Sequence, residues 1–367
     1  MDVQTDSPER LRYCVIGGAA GVMGMHRAAL HLPSVELVAI SDINEALGQQ
    51  RAKELNCEFY RDHCDMLAAV KPDVTVIMTP HPLHARLAID ALEAGSHVLV
   101  EKPIAIQVAE ADAMLAVAQQ HQRLLGVVFQ HRLRPEIRAA YQVIQEGRLG
   151  RLQHIEMTAV WTRTATYYRS AGWRGSWRGE GGGVLMNQAP HHLDLLCHLV
   201  GMPERVFAWT RRLVHEIETE DTVQAALEWS NGALGSLHIS TAEADQSEHL
   251  KIVGTRGQLE LINGIVSFRE LETDLIDFIA THPKAMAVPA SHEVSLPLTS
   301  GSGNHAAVYE EFNQAILHKK SFTSAGEEGR MALELANAMI YSSQRHCEVV
   351  LPLNRHDYAA LLAELQG

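Results

Sequence analysis

The sequence predicts an α/β chain of two domains. The first is a parallel sheet wound with helices; the second is an α+β domain with a large, mostly antiparallel open sheet. Three observations carry this expectation. The chain has 367 residues, beyond the usual range of a single domain. Short apolar runs alternate with helical patterns through its first third. From about Leu152 onward the texture changes to runs with a period of two.

Arg12 to Ile16 is the first β-rich run, and it breaks into Gly17-Gly18-Ala19-Ala20-Gly21-Val22-Met23-Gly24. A helical pattern over 25–32 follows, then a second apolar run from Val35 to Ile40 that ends at Ser41-Asp42. A polar helix leads to a third buried strand, Asp73 to Met78. A helix over 83–94, stopped at Gly95, precedes a fourth strand, His97 to Val100. Strands and helices alternating at this spacing make right-handed βαβ units. The later runs are His154–Trp161, Val206–Trp209, Val223–Trp229, Ala233–Ser240, His249–Val253 and Gln258–Leu261. The domains are expected over 1–128 and 129–367.

Composition excludes several classes. Net charge is −13 with histidine neutral, and basic residues are scattered, which leaves no stripe to neutralise nucleic-acid phosphates. No window approaches 18 uninterrupted apolar residues, so no membrane span is expected. The N-terminal MDVQTDSPER lacks a basic start and apolar run. The five cysteines, Cys14, Cys57, Cys64, Cys197 and Cys347, are an odd set without a CxxC pair. They read as reduced, mostly buried thiols of a cytoplasmic protein.

The glycines after the first strand have a chemical use. A pyrophosphate can sit on backbone N–H groups at a helix start only where side chains leave room. Asp42, at the end of the second strand, is placed to accept from a ribose 2′-OH and would repel a 2′-phosphate. Together these predict a Rossmann domain that prefers NAD to NADP. The fingerprint is imperfect, because strict GxGxxG needs glycine where Ala19 stands.

Directly after the fourth strand stand Glu101-Lys102-Pro103. Lys102 is therefore at the C-terminal end of a parallel strand, where such sheets bind ligands. Before it come Thr79-Pro80 with His84 after the third strand; further on come Arg132-Leu-Arg-Pro135, and Gly181-Gly182-Gly183 followed by Asn187-Gln-Ala-Pro-His191-His-Leu-Asp194. Tyr309-Glu-Glu-Phe, Glu328-Gly329-Arg330 and Val349 to Leu353 complete the set. This combination resembles the Gfo/Idh/MocA oxidoreductases, the glucose–fructose oxidoreductase and inositol dehydrogenase family, along nearly the whole chain.

The resemblance implies a sugar, polyol or glycoside substrate, and Lys102, His191 and Asn187 in the catalytic set. The family's usual aspartate is Asn187 here, which cannot hold a proton. It implies cofactor contacts from Gly17, Gly18, Gly21, Val22, Met23, Asp42, Thr79, Pro80, His84, Glu101 and Lys102. It also implies substrate contacts from Arg132, Asn187 and His191, and a homodimer or homotetramer built on the second domain's sheet.

The residues themselves support part of this. Asn187, His191 and Asp194 are spaced to share one helix face. Imidazole, with an ordinary pKa of about 6.5, suits removal of a hydroxyl proton. Lys102 suits stabilisation of the developing alkoxide. The loop Tyr167–Trp177 offers Trp173, Arg174 and Trp177, whose planes and guanidinium suit a sugar face or an anionic group. The 21 histidines include His191-His192 and the pair at 81 and 84, yet none has the spacing of a zinc site, and no metal is expected. Two other readings remain open. One is an NAD-retaining glycosidase or lyase that oxidises the ring transiently; the other is a cofactor-binding regulator without turnover.

Overall fold

The computed structural model describes residues 10–244 and 246–367. The N-terminal segment read above lies outside them except for Arg10. The described chain forms two compact units, one from residues up to 130 together with 303–330, the other from 131–302 with 331–367. The sequence places 303–330 in the second domain, and the structure returns this stretch to the first.

The first unit holds a six-stranded sheet of β1 (Leu11–Ile16), β2 (Val35–Ser41), β3 (Glu58–Tyr60), β4 (Val74–Ile77), β5 (His97–Val100) and β6 (Leu125–Val127). Its order is β3-β2-β1-β4-β5-β6, parallel throughout. The order reverses at β1, which opens a crevice at the carboxyl ends of β1 and β4. β4 is buried along its whole length, as a strand covered on both faces must be. The expected helix after the glycine loop is shorter than its pattern: Met23–His26 is helical, and a 3₁₀ turn follows at Ala29–His31.

The helix His305–His318 explains why residues 303–330 join this unit. Asn304 caps it by accepting from the Ala307 amide. Tyr309 stacks on Tyr13 with ring centroids 5.6 Å apart, and Tyr13 donates to Asn313 Oδ1 at 2.5 Å.

The second unit holds a nine-stranded sheet. Its strands are β7 (Leu152–Val160), β8 (Arg205–Arg211), β9 (Thr222–Glu228), β10 (Leu234–Ser240), β11 (Glu248–Gly254), β12 (Gly257–Ile262), β13 (Ile265–Leu271), β14 (Ser291–Val294) and β15 (Val349–Val350). The order is β14-β13-β12-β11-β7-β10-β9-β8-β15. Only β7 and β10 pair in parallel; the other pairings are antiparallel. Inward residues such as Val206, Ala208, Val223, Ala225 and Leu227 are buried, while Trp209 on the other face of β8 is 46% exposed. One face therefore packs a core.

Cys14 and Cys197 are buried, Cys57 and Cys347 half-buried and Cys64 exposed, so the thiols are less buried than expected. No helix of the described residues is long and apolar enough to cross a membrane.

Candidate active site

In the first unit a cleft of about 540 Å³ lies over the carboxyl ends of β1, β2 and β4. It brings together four of the expected cofactor residues: Gly17, Asp42, Thr79 and Pro80. Gly17 has φ +91°, and a Cβ there would lie 3.0 Å from the Met78 carbonyl carbon, so only glycine fits without strain. A Cβ on Gly18 would lie 2.9 Å from the Ile40 side chain. The loop is tied inward: the Gly17 and Gly18 amides donate to the Ser41 carbonyl, and Ala19 N donates to Asp42 Oδ2 at 2.8 Å. The amides of Gly21 and Val22 donate to no protein acceptor among the described residues, which leaves two N–H groups for an anion.

Asp42 does more than the sequence indicates. Besides Ala19 it accepts from Asn44 N at 2.8 Å, so one carboxylate shapes the glycine loop and stands at the ribose end. Arg61 and Arg86 also line the cleft, and sequence reasoning missed both. Arg61 follows the three-residue edge strand β3, too short to show a pattern. Each has an acidic neighbour, Glu45 at 3.7 Å and Asp90 at 3.8 Å, which lessens the attraction for a 2′-phosphate. The glycine cradle, the two amides and Asp42 fit NAD.

Three expected cofactor residues have other roles. Met23 is 3% exposed, its side chain is in the core, and its amide donates to the Ala20 carbonyl. His84 is fully buried, with Nδ1 2.8 Å from the Pro103 carbonyl and Nε2 2.7 Å from the Thr79 carbonyl. Burial pushes its pKa down, against the two carbonyls that favour the protonated ring. One ring thus ties the Thr79 wall of the cleft to the turn that carries Lys102.

Glu101 is also an anchor. His26 Nε2 lies 2.7 Å and His305 Nε2 3.6 Å from its Oε1, and the Lys102 amide donates to Oε2 at 3.2 Å. Burial opposes the charge, but the two histidines outweigh it and hold Glu101 well below the usual carboxylate range. These three side chains are close enough to hold a metal ion, as are Asp62, His63 and Cys64. The hydrogen bonds of the first group favour a proton instead. The buried Tyr309 hydroxyl is 2.9 Å from His26 Nδ1, and its pKa is raised well above normal by burial. With no other partner among the described residues it donates to Nδ1. His26 Nε2 therefore carries the proton toward Glu101 and offers no lone pair.

In the second unit the residues expected on one helix are divided between two. Val184–Asn187 is one short helix and Pro190–Val200 another, with Ala189 as the second helix's cap. Pro190 has no N–H to continue the first, so the hydrogen-bond ladder is interrupted between Asn187 and His191, although Gln188 and Ala189 keep right-handed helical dihedrals. Tyr167 donates to Asn187 Oδ1 at 3.1 Å, and Asn187 Nδ2 donates to the buried Glu180. His191 stacks on His131, with centroids 4.3 Å apart. Arg134 donates to His131 Nε2 at 2.8 Å, which makes that nitrogen an acceptor.

Two expected substrate contacts are internal. Arg132 donates through Nε and Nη2 to Asp194 at 2.8 and 2.6 Å, and both side chains have no exposure. The guanidinium fork pins the Pro190–Val200 helix rather than reaching a substrate. Trp177 is 8% exposed at the start of a one-turn helix capped by Ser176, so its ring belongs to the core. Trp173 and Arg174 are half-buried and stacked on each other, 4.5 Å from guanidinium carbon to ring centroid.

Sequence reasoning also missed the acids around the glycine triplet. Glu220 is buried and accepts from the Gly183 and Leu185 amides at 2.8 and 3.1 Å, while its Oε2 has no partner. Burial raises its pKa to about 7. A Cβ on Gly183 would lie 1.9 Å from the Glu220 carbonyl oxygen, which accounts for that glycine.

Comparison with known proteins agrees with this architecture. Residues 11–129 match an oxidoreductase family with an NAD-binding Rossmann fold, and residues 137–260 match the GFO/IDH/MocA C-terminal domain. A 1-carboxy-3-chloro-3,4-dihydroxycyclohexa-1,5-diene dehydrogenase of Comamonas testosteroni is 33% identical over 60% of this chain and 57% of its own. A levoglucosan dehydrogenase of Pseudarthrobacter phenanthrenivorans is 27% identical over 60% and 63%. The chain thus matches about three fifths of the length of these relatives. Among solved structures, the WlbA dehydrogenase of Bordetella pertussis in complex with NADH and UDP-GlcNAcA superposes with TM-score 0.81 and 28% identity, covering 94% of this chain and 100% of that one. The glycine cradle, the Lys102 turn and the histidine helix thus stand in a chain that belongs to the Gfo/Idh/MocA oxidoreductase family.

Proposed function

We propose that this protein is an NAD-dependent dehydrogenase that oxidises a secondary hydroxyl of a cyclic sugar, polyol or glycoside. The observation that carries the reading is the His84 ring, which joins the wall of the dinucleotide cleft to the Lys102 turn. A cofactor seated against Thr79 and Gly17 then has Lys102 on the same framework. Levoglucosan and D-glucosides, named for two relatives, are ring-bearing carbinols and support the substrate class.

NAD, when bound, supplies the hydride acceptor. His191 takes the hydroxyl proton as general base, and Lys102 stabilises the alkoxide as its charge develops. Asn187, oriented by Tyr167 and Glu180, positions substrate hydroxyls. The reduced thiols suit a cytoplasmic setting. The open face of the nine-stranded sheet, with Trp209 exposed, suits a homodimer or homotetramer.

The test is turnover of purified protein with NAD and a panel of polyols, sugars and glycosides, following NADH absorbance and aglycone release together. Lys102→Ala is expected to lower kcat by about 10²–10³ while NAD binding persists. Wild-type turnover in that variant would overturn the assignment. Aglycone release without net NADH would replace it with redox-neutral cleavage.

A further inference from the structure

We propose that the second unit carries an anion-binding subsite built on Arg174 and Arg163, so that the carbinol it takes bears a carboxylate or a phosphate ester. The inference rests on the dehydrogenase reading and names its substrate class.

Several arginines of this unit are neutralised by carboxylates of the protein. Arg132 pairs with Asp194, Arg148 with Glu270, Arg205 with Glu348 and Arg355 with Glu334. Arg174 and Arg163 have no carboxylate within ion-pair reach among the described residues, although acidic residues outnumber basic ones 44 to 31. Arg174 donates through Nη1 to the Tyr167 hydroxyl at 2.6 Å. Its guanidinium lies 4.3 Å from the Tyr167 ring centroid and 4.5 Å from that of Trp173, and its Nε is buried without an acceptor. The Arg163 guanidinium lies 5.4 Å from the Tyr167 ring centroid and donates to the Thr162 carbonyl at 3.2 Å.

A half-buried guanidinium without a carboxylate partner is costly unless an anion completes it. The two rings fix the plane of the Arg174 fork before any ligand arrives, which suits bidentate capture of a carboxylate or phosphate. The subsite is also wired to Asn187. Tyr167 Oη accepts from Arg174 and from Gln188 Nε2 at 2.9 Å, and donates to Asn187 Oδ1. An anion on Arg174 is therefore two hydrogen bonds from the amide proposed to hold the substrate's hydroxyls. Glu180 accepts from the Gly175 amide and from Asn187.

The experiment compares matched pairs on the full chain: glucose with glucuronate, galactose with galacturonate, and glucose with glucose 6-phosphate. Binding is read by quenching of intrinsic tryptophan fluorescence, to which Trp173 contributes, and turnover by NADH formation. At least one anionic sugar is expected to bind about tenfold or more tighter than its neutral partner at low salt. The carboxylate and phosphate arms tell the two sources apart. Arg174→Gln is expected to bring the pair within about twofold, and Arg174→Lys to restore only part of the preference, because lysine offers no planar fork. Circular dichroism and thermal unfolding of each variant check that it is folded. Equal binding of neutral and anionic sugars, no binding by any anion, or a preference that survives Arg174→Gln overturns the proposal. Anion binding without NADH formation from any sugar would leave the subsite standing and remove the dehydrogenase reading; NADH formation with no preference would do the reverse.

Discussion

Removing one partner of the Arg132–Asp194 bridge tests whether it is structural. Both side chains are wholly buried and joined by two parallel hydrogen bonds of 2.8 and 2.6 Å. Asp194→Ala leaves a guanidinium in the interior without its counter-ion, a change that costs about 3–5 kcal/mol. For a unit of this size that corresponds to a fall of roughly 6–20 °C in Tm. The assay is urea and thermal unfolding followed by tryptophan fluorescence and circular dichroism, with the pair replaced together, Arg132→Met with Asp194→Leu, as the control. The double variant removes both charges and is expected to lie within about 1–2 kcal/mol of wild type. The functional readout separates this role from a substrate contact. Asp194 is on the helix of His191, so the single variant should lose kcat together with stability, whereas a substrate contact would raise KM in a fully stable protein. A cost below about 1 kcal/mol for Asp194→Ala, or a double variant as weak as the single, would refute the reasoning.

Glu220 makes stability depend on pH: its pKa rises from 4.5 to about 7 on folding. Between those values the folded state holds a proton that the unfolded chain has released, so stability falls as pH rises, with the loss complete above about 7. Glu220→Gln is expected to flatten the dependence of the urea midpoint on pH over this window; an unchanged slope contradicts the assignment. Asp42→Ala is expected to raise the KM for NAD about tenfold and to weaken discrimination against NADP, read by steady-state kinetics with both cofactors. Retained selectivity would move the determinant elsewhere, Arg61 first. Asn187→Asp places a second carboxyl against Glu180, so one of the two must take up a proton. Activity at pH 8 is expected to fall and to recover in part when Glu180→Gln is added, and full activity in the single variant would exclude the contact.

The parallel sheet was legible because its central strands are short apolar runs between glycines and polar turns. β3 and β6, three residues each, are too brief for any period to register. The return of residues 303–330 to the first unit depends on Tyr309 and Asn313 meeting Tyr13, a contact across nearly 300 positions that no local pattern encodes. Lys102, His191 and Asn187 are proposed from sequence because their motifs are compact. Arg132 and His84 were found by the same motifs and given the wrong work, since spacing reports that a residue matters without reporting whether it is buried. The break between Asn187 and His191 was visible in principle: Pro190, three residues after Asn187, cannot donate the bond a continuous helix would need.

The hydrogen bonds of Asn187 fix the orientation of its amide. Tyr167 Oη accepts from Arg174 and Gln188, so its one proton goes to Asn187 and the atom facing it must be Oδ1. Glu180 can only accept while ionised, so the atom facing it must be Nδ2. The amide cannot flip without setting acceptor against acceptor and donor against donor. Whatever its second N–H meets, it meets as a donor. An ionised aspartate at this position would do the reverse and accept from a substrate hydroxyl. On the proposed reading a hydroxyl held by Asn187 therefore presents its oxygen lone pair, and its proton is directed to another group. On the proposed reading that group is His191, and the exchange of aspartate for asparagine leaves the histidine to remove the proton without a competing carboxylate at position 187.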